Sequence, residues 1–220
     1  MKHHTSKSLY AYWNKVRAGG FAPQRFDIEP ACIAPILPEA LIIERASGDE
    51  FRFRLAGTRI CETFGREFRG ANFLDFFNPG DASIISRKLV TMAQQGAVGV
   101  FHITSQTAHG HKADVELILL PLLHAQGRVD RYLGALSVAA TTEGPGAHPL
   151  ITHVLQDYEL IWPQMRTLPT SEHPTTTPDC NFPVPAPPIQ VPPLASNIRH
   201  SRIVRSERRQ FRVYDGGRCD

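Results

Sequence analysis

Two histidines flank a glycine at His109-Gly110-His111, a spacing that could offer two imidazoles to a metal ion. The surrounding pattern supplies no third ligand, and polar side chains at the tip of a turn need no metal to explain them. His3 and His4 lie in a terminal segment. Asp114 and Glu116 share one parity on a strand-like run and could act as paired carboxylates. Two acids on the solvated face of an antiparallel strand is the commoner meaning. His102 has the parity of Val98 and Val100, which turns it toward a core or sheet surface, where an ordinary hydrogen bond is the expected role. Four cysteines, Cys32, Cys61, Cys180 and Cys219, stand far apart without a CxxC, which suggests neither a zinc site nor a disulfide scaffold. No nucleophile elbow, phosphate loop, dinucleotide fingerprint or His-Glu-x-x-His is present. These residues do not assemble a reaction, so a non-enzyme with no metal is expected.

The elements that would hold such residues come from a chain of 220 residues, 42% hydrophobic and 20% charged, with a formal net charge of +3. That is enough apolar material for a core. The apolar run Leu117–Leu123 is interrupted by Pro121 and is far short of the ~20 residues a membrane helix needs. The first residues have no continuous apolar segment, so a cytoplasmic protein without a membrane span is expected. Charge and proline are unevenly spread. Residues 197–220 hold seven arginines and three acids, a net +4, which leaves −1 for the rest; ten of eighteen prolines fall between Pro163 and Pro193. Prolines at that density block helix and ladder formation, so 163–197 reads as an extended linker and 198–220 as a disordered arginine-rich tail.

Within the body, Leu9, Tyr12, Trp13 and Val16 mark one face of a helix that Gly19-Gly20 ends, giving a segment 1–20. Leu41–Glu44 reads as a buried strand. Phe51, Phe53 and Leu55 alternate with Arg52 and Arg54 as a second strand, and 46–49 makes a hairpin of the two. Thr58 to Gly65 is a short helix capped by Thr58, 73–77 is an aromatic turn, and Asp81 caps a longer helix that ends at Gly96. Three strands follow over 98–107, 113–123 and 132–139. Leu150, Ile151, Val154, Leu155, Tyr158 and Ile161 predict a flanking helix over 146–162, stopped at Pro163. Short connections make the strands antiparallel neighbours, so the fold class is α+β: five strands with helices on one face, in a domain spanning 21–145.

That order of elements resembles a PAS domain. Leu9-Tyr10-Ala11-Tyr12-Trp13, Pro23-Gln24-Arg25-Phe26-Asp27-Ile28-Glu29-Pro30 and Phe53-Arg54-Leu55-Ala56-Gly57-Thr58-Arg59-Ile60-Cys61 are similar to the single-domain bacterial PAS_5 proteins over about residues 8–140. The resemblance implies a sensory or regulatory module, often dimeric, acting on a signalling partner. Gly70-Ala71-Asn72-Phe73-Leu74 is similar to the flavin-adduct segment of light-sensing PAS domains but has no cysteine, and the helix 81–95 has no histidine for haem, so neither cofactor is expected. A PAS pocket between sheet and helices would be lined by Phe53, Leu55, Phe64, Phe73, Phe76, Ile85, Leu89, Val100, His102, Leu117 and Leu136. These would enclose a small apolar ligand or simply fill the core. The stripe Leu9, Tyr12, Trp13 and Val16 must be buried, either in a homodimer seam, the expectation adopted, or against its own sheet. In the tail, Arg205, Arg208, Arg209 and Arg212 resemble the arginine motif that opens PilZ domains, yet only eight residues follow, too few for that barrel. Guanidinium forks there suit nucleic acid or another anionic partner.

Overall fold

The computed structural model describes residues 1–46, 50–124, 127–139 and 148–164. The linker and tail, with Arg205, Arg208, Arg209 and Arg212, lie outside the described residues except for 163–164. Helix α1 spans His4–Val16, followed by a 3-10 segment at Pro30–Glu39. Strands β1 (Ala40–Arg45) and β2 (Phe51–Ala56) lead into helix α2 (Thr58–Phe64), a 3-10 turn at Phe73–Phe76, and helix α3 (Pro79–Gln95). Strands β3 (Val98–Thr107), β4 (Lys112–Leu123), β5 (Val129–Val138) and β6 (Leu150–Ile161) complete one antiparallel sheet in the order β2-β1-β5-β4-β3-β6.

The helix ends follow local chemistry. Gly65 and Gly96 close α2 and α3 in the left-handed conformation, at φ of 61° and 65°, which a side chain would strain. The α3 cap is Asn78, whose side chain accepts from the Asp81 N–H ahead of Pro79; Asp81 is not the cap. Likewise Gly57, not Thr58, is the capping position of α2.

The sheet has six strands, not five, because residues 150–161 pair with β3 in place of the expected flanking helix. The helical spacing of the apolar residues there is produced by irregular pairing. Register shifts at His102/Ile103 and at Gln106/Thr107 break the period of two, so Leu150 and His153, three apart, are both buried. Ile151, Thr152, Val154, Tyr158 and Ile161 also favour a pleated strand over a helix. The segment 146–162 is thus no separate flanking element: its described part belongs to the sheet.

Both faces of the sheet are covered. On one, α2, the Phe73–Phe76 turn and α3 enclose a phenylalanine-rich core with Leu41, Ile43, Leu117, Leu119 and Tyr132. On the other, α1 and the 30–39 segment pack on Val98, Val100, Ile118, Leu120, Leu122, Leu133 and Ala135. Leu9, Tyr12 and Trp13 are buried there within their own chain. The Trp13 indole donates to the Pro121 carbonyl at 2.9 Å, and the Tyr12 hydroxyl accepts from the Glu29 N–H at 2.8 Å. Val16 packs half-buried beside them. The expected dimer seam through Leu9, Tyr12, Trp13 and Val16 is corrected: Leu9, Tyr12 and Trp13 dock on their own sheet, where the polar ends of Tyr12 and Trp13 are bonded. Cys32 is disulfide-bonded, which modifies the expectation of cysteines without a disulfide, while Cys61 is a free thiol.

Candidate functional site

Between the sheet and α2/α3, the chain brings together eight of the eleven expected pocket residues: Phe53, Phe64, Phe73, Phe76, Ile85, Leu89, Leu117 and Leu136. The other three stand elsewhere. β1 pairs Ile42 with Leu55 but Ile43 with Phe53, and this bulge turns Leu55 outward, where it is 43% exposed. Val100 belongs to the opposite core, under α1. His102 is on that face too, with Nδ1 3.9 Å from Glu116. Parity correctly put Val98, Val100 and His102 together, but it cannot say which of two covered faces they occupy.

The eight are joined by residues outside the expected lining: Phe68 and Tyr132, and Phe77 of the expected aromatic turn. Phe68 packs on Phe53 at 4.9 Å between centroids and edge-on to Phe64 at 5.9 Å; Phe76 and Phe77 meet at 5.2 Å. These offset and edge-to-face contacts suit the ring quadrupoles. Tyr132 crosses the core to donate its hydroxyl to the Leu89 carbonyl at 2.7 Å, and burial pushes its pKa well above the usual tyrosine value. The spacing Phe64, Phe68, Phe73, Phe76, Phe77 was the available signal for the ring cluster.

His153 of β6 is a second ionisable side chain set into this core, in addition to Tyr132. It stacks on Phe76 at 3.8 Å with planes 3° apart, meets Phe64 edge-on, and bonds Ser105 Oγ through Nδ1 at 2.9 Å. The Arg66 guanidinium lies over Phe68 at 4.7 Å and over Phe76 at 5.9 Å. Burial, with the nearby Arg66 charge, pushes the His153 pKa down to about 4, so the ring is neutral near pH 7. Reading 150–161 as a helix concealed this residue.

β6 is fastened to the helical layer as well as to β3. The Leu155 N–H donates to Asp81 Oδ2 at 2.9 Å, and the Trp162 indole donates to Gln95 Oε1 at 2.9 Å. The Lys88 ammonium sits 4.5 Å from the centre of the Tyr158 ring. Ile151, Val154, Tyr158 and Trp162 nevertheless remain 58%, 44%, 37% and 57% exposed on and just beyond the edge strand, Val154 on the α1 side and Tyr158 on the helical side.

The remaining candidates have plain structural roles. Asp114 is exposed, but Glu116 is buried rather than solvated and accepts the backbone N–H groups of Lys2 and His3 at 2.6 and 3.1 Å. Burial opposes its charge, but the Ser6 hydroxyl and those two N–H groups outweigh it and hold the carboxyl below its usual range. Glu116 therefore anchors the start of α1, while Asp114 accepts from the Thr104 hydroxyl on the exposed sheet surface, and the two form no acid–base couple. His109 meets His148 ring to ring at 4.8 Å, and the His111 N–H donates to Thr107 Oγ1. Among the described residues no three His, Cys, Asp or Glu side chains converge as a metal site would require.

A twisted antiparallel sheet with β1–β2, a helical excursion and β3–β5, covered on one face by α2, the short turn and α3, defines a PAS-type domain. The PAS_5 model, a PAS domain family, matches residues 1–137, and the chain belongs to that family. Its members are generally sensory modules. Among solved structures, a light-oxygen-voltage domain shares 15% identity, with 50% of this chain and 83% of that one covered and a TM-score of 0.40. A PAS domain of a Colwellia psychrerythraea protein shares 13% identity over 48% and 92%, with a TM-score of 0.37. The PAS domain of Bordetella pertussis BvgS shares 18% over 50% and 84%, with a TM-score of 0.36. No curated protein matches this chain.

The family's Arg54-Leu55-Ala56-Gly57-Thr58-Arg59 run has a clear local purpose. A Cβ at Gly57 would run into the carbonyl oxygens of Pro38 and Leu37, so only glycine lets β2 turn into α2 against the 30–39 segment. The Gly57 N–H donates to the Ala40 carbonyl at 2.8 Å, and Arg59 bonds Glu39 at 2.6 Å. Glu39 also accepts from Thr5 of α1 at 2.6 Å. The motif ties together both sides of the sheet.

Proposed function

We propose that the chain is a non-catalytic PAS-type regulatory module of the cytoplasm that acts by binding a protein partner through the outer side of β6. The observation that carries this reading is the exposure of Ile151, Val154, Tyr158 and Trp162 along and just beyond an edge strand held at several points to the helical layer, with Val154 on the α1 side of the sheet and Tyr158 on the helical side. Large apolar side chains left exposed along an edge strand mark a strand that can take a partner. The ring-to-ring packing inside supports a module that responds through this surface rather than through a resident cofactor. Among the described residues no helix is long and apolar enough to cross a membrane.

The test compares full-length wild type with Ile151→Glu/Val154→Glu, both exposed positions, by affinity capture from extracts of the source cells and by sedimentation velocity. A stoichiometric protein, or a second copy of this chain, bound by the wild type and lost from the variant is the expected result. Equal retention by both overturns the assignment to β6.

A further inference from the structure

We propose that the β1–β2 end of the sheet binds a phosphate-bearing small molecule of nucleotide size, in a cleft separate from the aromatic interior and from the β6 surface. The cleft is open to solvent with a volume of about 660 Å³, within the range of small-molecule sites, and its charged lining among the described residues is Glu44, Arg45, Arg52, Arg54 and Arg69. Among the described residues, Arg52, Arg54 and Arg69 bring three guanidinium groups here against Glu44 and the neighbouring Glu50, while the Arg45 guanidinium lies over the Phe51 ring.

The sheet edge builds this cluster in a specific way. β2 presents Arg52 and Arg54 outward while Phe51 and Phe53 face the core. The chain then returns along β2's free edge: the Gly70 N–H donates to the Phe53 carbonyl at 2.7 Å, and the Phe53 N–H donates to the Ala71 carbonyl at 2.9 Å. Asn72 bridges to Arg52 in the same pseudo-strand. This pairing sets Arg69 beside the β2 arginines, from which it is fifteen or more residues distant in sequence.

The acids nearby are already shared. Glu44 pairs with both Arg54 and Arg131, and Glu50 takes Arg52 at 2.9 Å. Arg69 is exposed and has no ion pair among the described residues. Such surface ion pairs are weak and yield readily to a stronger anion. Planar guanidinium forks match phosphate oxygens two at a time, and several forks around one cleft match a chain of phosphates better than a lone carboxylate. Gly70 leaves its wall open, since a Cβ there would meet nothing within 4 Å. A cleft of this volume matches a small molecule.

The test uses isothermal titration of the full chain with ATP and with inorganic tripolyphosphate, at low and moderate salt. Arg52→Gln/Arg69→Gln, both solvent-exposed, should weaken ATP binding at least tenfold with an unchanged circular dichroism spectrum. Replacing Arg205, Arg208, Arg209 and Arg212 by Gln should change it less than twofold. ATP bound more tightly than tripolyphosphate assigns a nucleotide, and equal binding assigns a polyphosphate; both support the site. No binding of either probe overturns the proposal. So does loss in the tail variant alone, or a twenty-nucleotide single strand that binds through the cleft arginines while ATP does not.

Discussion

The two faces of the sheet are closed by different chemistry. Toward α2 and α3 the seal is made of phenylalanine rings that touch edge to face, with His153 held neutral among them. Toward α1 it is mostly aliphatic around Trp13 and Tyr12, and directed hydrogen bonds fix the cover: Trp13 to Pro121, Tyr12 with Glu29, and Glu116 to the first backbone N–H groups. Rings fill space in many arrangements, whereas directed bonds accept one position of a helix. The difference teaches that an amphipathic stripe announces burial, and its polar tips decide against what.

Breaking the α1 seal should have the largest effect. Trp13→Ala removes the largest fully buried side chain and its indole bond, and should cost about 3–5 kcal/mol by urea denaturation. A loss below 1 kcal/mol would show that α1 is not docked on the sheet. Gly57→Ala, at the junction that serves both faces, forces a Cβ against the Pro38 and Leu37 carbonyls and should cost about 2–3 kcal/mol.

The ring side should respond to acid earlier than the α1 side. The folded His153 pKa lies near 4 against an ordinary 6.5, so below pH 6.5 the unfolded chain binds the extra proton. Stability is therefore fully present above pH 6.5 and falls by about 3 kcal/mol as pH drops toward 4. His153→Gln should flatten that slope; an unchanged slope would remove His153 from the account. Glu116, whose pKa is lowered, acts in a different window: its contribution is present above the ordinary carboxyl pKa and is lost as pH falls through the folded value. Glu116→Gln should have the smallest effect, about 1 kcal/mol near neutral pH, together with faster hydrogen exchange at the α1 start.

Much of the fold was legible because its signals are local. Phe51 and Phe53 alternate with arginines, and Gly65 and Gly96 stop helices. The misread elements depended on pairing. Two bulges gave β6 a false helical spacing, and a third at Ile42/Ile43 turned Leu55 out of the expected pocket. Val100 and His102 went to the α1 side because both faces are covered and alternation alone does not distinguish them. The arginine cleft was half visible, in Arg52 and Arg54; Arg69 joins them only through the return of residues 70–72 along β2.

Everything assigned to the outer surface depends on 150–161 being a strand of this sheet. Hydrogen–deuterium exchange of the full chain near pH 7 tests that most directly. In the register seen here, amides of 150–161 that donate to β3 should exchange as slowly as those of β3 itself, with Leu155 protected through Asp81. Exchange across 150–161 at the rate of an unpaired segment, with β3 still protected, would contradict the sixth strand and the partner surface built on it.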